Sequence, residues 1–192
     1  MSNYVPATPE QREAFIKEWN GGGAGVARSN NLPVSAMLAC ACFESGYGNP
    51  IDRKTGKASI FSATGNPFNL QKWPAITYPK TEKIIWRDTE VKSASGQVLR
   101  APFNCAKSVP DAVRQWCERI LHYGEVDGPP QTQFKNQACL HPESVDARKK
   151  LLALRYSPAE FAGNLNLVGF GEKGKDKGYR DTLEINNLTR FD

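Results

Sequence analysis

The sequence predicts an α+β fold that is mostly helical, with one small antiparallel β lobe at about residues 75–103 inserted in a helical body, all within a single domain spanning 1–192. Three observations predict it. Apolar residues recur at helical spacing before residue 50, the period shortens to that of strands only between 75 and 103, and the helical pattern returns at 108 with its strongest stripe.

The first helix opens at Thr8-Pro9-Glu10-Gln11, a capping box with proline in the first turn, and carries Phe15 and Trp19 on one face. It is expected to end at Gly21-Gly22-Gly23-Ala24-Gly25, read as a flexible connection. No strand precedes those glycines and no Gly-Lys-Ser/Thr follows, which argues against a phosphate cradle. A second helix starts near Pro33, with Val34, Met37, Leu38 and Ala41 as its apolar stripe, and stops at Gly46 and Gly48. Residues 49–71 have loop composition.

Short extended segments follow at 75–78, 83–91 and 97–103, with Ser93-Ala94-Ser95-Gly96 as the turn between the last two. The next helix starts at Ser108-Val109-Pro110-Asp111 and carries Val109, Ala112, Val113, Trp116, Cys117, Ile120 and Leu121 at near-ideal spacing. Beyond a loop around Gly128-Pro129-Pro130, helices are expected at 143–154, from a second capping box at Ser157-Pro158-Ala159-Glu160, and at 178–188.

Composition narrows the function classes. Hydrophobic residues are 40% and charged residues 23% of the 192, ordinary values for a globular protein, and no run approaches a membrane span. The 25 basic and 20 acidic residues give a net charge of +5, which favours anionic partners without naming them: nucleic acid, anionic lipid and an acidic cell-wall polymer all qualify. The one dense basic stretch, Lys173 to Arg180, contains an acid and reads as a solvated loop rather than a nucleic-acid surface.

The five cysteines, at 40, 42, 105, 117 and 139, show no metal pattern. Free buried thiols or one disulfide among Cys105, Cys117 and Cys139 both fit. Neither His122 nor His141 has a partner at zinc-site spacing, so no metal and no cofactor is expected.

Glu44 stands out. It lies three residues past Ala41, where the second helix should present an apolar side chain, and at the negative end of that helix. Burial and the dipole both penalise the charged form, which is the requirement on a general acid. A carboxylate here also fits a structural role, bent back on a nearby amide or paired with an arginine.

Around Glu44 the chain resembles the glucosaminidase domains of glycoside hydrolase family 73. The resemblance is carried by Leu32-Pro33-Val34-Ser35-Ala36-Met37-Leu38-Ala39, by Glu44-Ser45-Gly46-Tyr47-Gly48 and by Asn66-Pro67-Phe68-Asn69-Leu70-Gln71-Lys72-Trp73. Thr89-Glu90 matches the family's Thr-Glu pair on the β lobe, and Val168-Gly169-Phe170-Gly171 with Tyr179 is similar to its Gly-Tyr-Ala stretch and downstream tyrosine. There are two departures: Phe68-Asn69-Leu70-Gln71 replaces Phe-Gly-Ile-Lys, and Val91 replaces an aromatic.

The resemblance implies a lysozyme-like body whose cleft against the β lobe binds peptidoglycan glycan strands. It implies cleavage of the β-1,4 bond on the reducing side of N-acetylglucosamine, with Glu44 as acid and Glu90 as second carboxylate. Tyr179, Phe68, Asn66, Trp73 and Tyr47 would bind substrate. A lytic transglycosylase or muramidase is the nearest rival, although Asn49-Pro50 is not followed by the Ser-x-x-Ala-x-Gly-Leu-x-Gln run expected of the transglycosylase. A glycan-binding module without turnover is another.

Met1 to Pro6 has neither a basic start nor an apolar segment, so no secretory signal is read there. The substrate class then requires export by another route to the periplasm or cell wall. A type VI secretion effector, with an immunity protein over the Glu44 cleft in the producing cell, fits best, and a phage endolysin second. Neither nucleic acid nor membrane is expected as a partner.

Overall fold

A computed structural model describes residues 5–53, 56–71, 78–92, 98–125, 143–170 and 176–192, with backbone alone for 89–92, 98, 99, 143 and 176. The described residues form seven α-helices and one two-stranded antiparallel sheet: α1 Pro9–Ser29, α2 Val34–Ser45, α3 Ile60–Thr64, β1 Ile84–Lys92, β2 Val98–Asn104, α4 Val109–Leu121, α5 Glu143–Ala153, α6 Pro158–Gly163 and α7 Asp176–Ile185. The mostly helical α+β class is as expected. Two 3-10 turns, Leu165–Val168 and Leu188–Phe191, complete it.

α1 begins as predicted, with the Thr8 hydroxyl accepting from Gln11 N at 3.3 Å and the Gln11 side chain accepting from Thr8 N at 2.9 Å. It does not end at the glycines, however, but runs on to Ser29. The reason is the close approach of α4: a Cβ on Gly22 would lie 2.9 Å from Val109 Cβ, and one on Gly23 would lie 2.7 Å from Val113 Cγ2. Packing of the two helices offsets the low helix propensity of glycine. Gly23→Val is therefore expected to destabilise the protein by about 1–3 kcal/mol through overpacking. Gly25 has open space around it, with nothing within 4 Å of where a Cβ would sit, so it should tolerate alanine and gain about 0.5–1 kcal/mol. Urea denaturation of the two variants checks the pair.

α2 is the central helix. Every residue from Val34 to Cys42 is buried, so the apolar stripe expected on one face is an apolar surface on all sides. It is packed by α1, α6, α7 and the turn Leu188–Phe191. Pro33 is its N-cap rather than its first residue, and the Asp192 carboxylate supplies the cap by accepting from Ser35 N at 2.9 Å.

An aromatic chain runs across the core from Phe15 to Trp19 (centroids 5.5 Å apart), Phe68 (5.9 Å), Trp116 (5.9 Å) and Phe170 (6.4 Å). α4 follows its predicted stripe, capped by Ser108, with Trp116 and Cys117 buried. Cys40, Cys42, Cys105 and Cys117 are free thiols. Burial pushes the Cys42 thiol far above the ordinary thiol range and Cys117 up to about 12, so both stay protonated at neutral pH. Cys139 and His141 lie outside the described residues.

Two expectations are corrected. The 49–71 segment contains α3, capped at Ser59 and closed by Gly65 in the left-handed region. At Ser157 no side-chain cap forms, although α6 starts there. The end of the basic stretch, Gly178 to Arg180, lies on the helix expected there, α7, which turns Tyr179 inward. The segment expected at 75–78 is described only at Tyr78, and the turn at 93–96 and the loop at 128–130 lie outside the described residues.

β1 and β2 pair in register from Ile84↔Asn104 to Asp88↔Arg100 and again at Lys92↔Val98. Between those points four steps along β1 match two along β2, so Glu90 falls in an irregular stretch of the strand. The hairpin is tied to the body at its base, where Asn104 N donates to Leu70 O at 2.9 Å, and Arg119 of α4 holds the same segment, its Nη2 donating to Gln71 O at 2.6 Å. Asn69 Nδ2 donates to Glu44 O, so residues 69–71 connect the hairpin to the end of α2.

Candidate active site

Glu44 is the penultimate residue of α2, and the local sequence explains its exposure. Gly46 takes the left-handed conformation (φ 58°) that ends the helix. Ser45 folds back, its hydroxyl donating to Ala41 O at 2.6 Å and accepting from Gly48 N at 2.9 Å. The apolar helix thus carries its last side chain but one to a half-buried position at the surface.

Two neutral groups hold the Glu44 carboxylate. The Tyr179 hydroxyl donates to Oε1. Asn69 Nδ2 donates both to the Glu44 backbone O at 3.0 Å and to Oε2 at 3.3 Å. Tyr179 is completely buried, its ring edge-on to Phe43 at 5.0 Å. Oε1 consequently faces the protein interior. Glycine at 178 permits this approach, since a Cβ there would collide with Phe43 Cε2. One turn back on α2, burial and the Glu44 charge push the Cys40 thiol well up.

Of the residues the sequence points to, Glu44 and Tyr179 meet directly, with Tyr179 acting through its hydroxyl and offering no ring face to a sugar. Phe68 and Asn66 are corrected. Phe68 is 2% exposed and lies between Trp19 and Trp116, so its ring is core. Asn66 is fully buried, donating to Gln115 Oε1 at 3.0 Å and accepting from Phe68 N at 3.1 Å. Gln115 Nε2 in turn donates to Cys105 O at 2.9 Å, so Asn66 ties the 64–68 loop to α4 and thereby sets the position of Asn69.

Tyr47 has its ring against Arg12 (5.1 Å) and Phe15 (6.5 Å), and its hydroxyl accepts from Asn186 Nδ2 at 2.8 Å. Those contacts make it a brace between α1 and the end of α7. Trp73 lies outside the described residues, as does the side chain of Glu90.

In the sequence Asn69 is visible only as a departure from a family glycine. That departure carries a signal, because asparagine is a common non-glycine occupant of the left-handed region, and Asn69 has φ 50°.

A cavity of about 980 Å³ lies elsewhere, at the base of the hairpin, lined by Gly65, Lys83, Lys107, Asp111 and Arg114 among others. Arg114 bridges Asp111 at 2.7 Å and Glu118 at 2.6 Å there, and Lys107 pairs with Glu82, so those cations are engaged. The chemistry concentrates at Glu44 instead. Among the described residues no cluster of three His, Cys, Asp or Glu is placed to hold a metal, and no helix is long and apolar enough to cross a membrane.

Solved structures share this architecture. The catalytic domain of the autolysin Auto from Listeria monocytogenes superposes with a TM-score of 0.62 at 17% identity, covering 98% of this chain and 91% of that one. The fold is that of these hydrolases. A peptidoglycan hydrolase from Sphingomonas sp. A1 (TM-score 0.53, 16% identity, 93% and 92% covered) and the glycoside hydrolase domain of Salmonella typhimurium FlgJ (0.51, 14%, 92% and 97%) share it too. No protein-family model matches the chain, and no curated protein matches it by sequence.

Proposed function

We propose that this protein is a peptidoglycan hydrolase of the family 73 glucosaminidase type, cleaving the β-1,4 bond between N-acetylglucosamine and N-acetylmuramic acid. The observation that carries the reading is the Glu44 carboxyl, half-buried at the end of a buried helix with one oxygen held inward by Tyr179. The shared fold supports it, since those neighbours are peptidoglycan and glycoside hydrolases.

Oε2 is the proton-carrying oxygen in this scheme. Asn69 occupies one of its lone-pair directions and leaves the other for the glycosidic oxygen. As the C1–O bond breaks, the Glu44 proton passes to the leaving oxygen, and C1 acquires oxocarbenium character. Water then adds at C1, giving up a proton to a base. Glu90 takes that role if it closes to roughly 6.5–9.5 Å from Glu44, the spacing that admits a water; otherwise the substrate's 2-acetamido group attacks first.

Digestion of purified peptidoglycan followed by reducing-end analysis tests the bond. N-acetylglucosamine at new reducing ends is the expected result. Muramic acid ends would assign a muramidase, and 1,6-anhydromuramic ends a transglycosylase.

The proposal extends to a role as an antibacterial toxin delivered by type VI secretion, with an immunity protein covering Glu44 in the producing cell. Expression with and without an added periplasmic signal tests this: toxicity confined to the periplasmic form is expected, and equal behaviour of the two forms overturns it.

A further inference from the structure

We propose that Asn69 is a positioning residue for the proton-carrying oxygen of Glu44, a role a glycine at this place has no side chain to fill. The inference rests on the reading of Glu44 as general acid and adds a specific control over the direction in which that acid points.

Asn69 is poorly suited to a purely structural role. Its backbone lies at φ 50°, where glycine is unstrained and other residues are not. Its Oδ1 is buried with no hydrogen-bond partner among the described residues. Flipping the amide does not relieve that defect, because Oδ1 would then face Glu44 O at 3.0 Å and Oε2 at 3.3 Å, oxygen against oxygen. The backbone carbonyl of Glu44 therefore fixes the orientation, and the amide can present only a donor to Oε2.

A strained backbone and an unmet buried acceptor both lower stability, and such defects concentrate where a side chain serves function. What they secure here is a donor held on both the backbone and the side chain of one residue. The 64–68 loop, anchored through Asn66 to α4, keeps that donor in place.

The consequence is geometric. Oε1 is held by the Tyr179 hydroxyl from α7 and Oε2 by the Asn69 amide, so both oxygens of the carboxyl are fixed from two different segments. A general acid must keep its proton-carrying oxygen within hydrogen-bond reach of the leaving oxygen, and a carboxyl held at Oε1 alone can turn out of that direction.

The test compares Asn69→Gly and Asn69→Asp with the wild type, following kcat and KM on purified peptidoglycan together with Tm. Asn69→Gly should lower kcat by about 10-fold, the scale of one hydrogen bond to a charged acceptor, with KM close to the wild-type value. Its Tm should be no lower than that of the wild type, since glycine relieves the strain. Asn69→Asp, which puts an oxygen in place of the donor, should lower kcat further.

An unchanged kcat in both variants overturns the proposal, as does a fall in Tm for Asn69→Gly that accounts for its lost activity, which would make Asn69 structural. A Glu44→Gln variant that hydrolyses peptidoglycan as the wild type does would instead remove the general acid itself, whatever the Asn69 variants do.

Discussion

Glu44→Gln is expected to lower peptidoglycan hydrolysis by about 10²–10⁴-fold, the usual contribution of a positioned general acid, while leaving the fold intact. The amide is close in shape to the carboxyl and fits both of its contacts. Its oxygen faces the Asn69 donor, and its NH₂ faces Tyr179, whose hydroxyl turns from donor to acceptor. Thermal melting of the variant should match that of the wild type, so lost turnover is attributable to the missing proton. Turbidity clearing of purified cell walls measures it. Equal clearing by the two proteins would remove Glu44 from the chemistry and leave a structural carboxylate at the end of α2.

The second large effect concerns stability. Phe68→Ala should cost about 3–5 kcal/mol, because it empties a site at 2% exposure between two tryptophans, each 5.9 Å away by ring centroid. For a chain of this size that corresponds to a fall in Tm of roughly 10 °C. At a temperature where the variant is folded, KM for the glycan should be close to the wild-type value. A variant of unchanged Tm but raised KM would return Phe68 to the substrate site and place its ring outside the core.

These two residues also separate what is legible in the chain from what is not. Glu44 can be found because a carboxylate interrupts an apolar helix just before two glycines, and both facts are local. Phe68 is misplaced by its motif, which resembles one near a sugar site, while its burial depends on Trp19 and Trp116, which stand 49 and 48 residues away along the chain. Gly21 to Gly25 mislead in the opposite sense. Their propensity argues for an end to α1, but α4 packs its valines into the groove that missing side chains leave, and the helix continues. The capping signature at Ser157 repeats that of Thr8 in letters, yet only Thr8 forms the bonds.

Local chemistry sets the order of helices and hairpin, the caps at Thr8 and Ser108, the stripe of α4 and the placing of Glu44 at a helix end. Each depends on residues within one or two turns of one another, and so each can be read from the chain. Long-range packing is what buries α2 on every side, turns Tyr179 inward to hold Oε1, and brings Asn69 to the same carboxyl from a loop 25 residues away. Those contacts join segments whose separation in the chain carries no periodic signal. Their geometry is set by packing, by the closeness a glycine at 178 allows, and by the requirement that buried polar groups find partners.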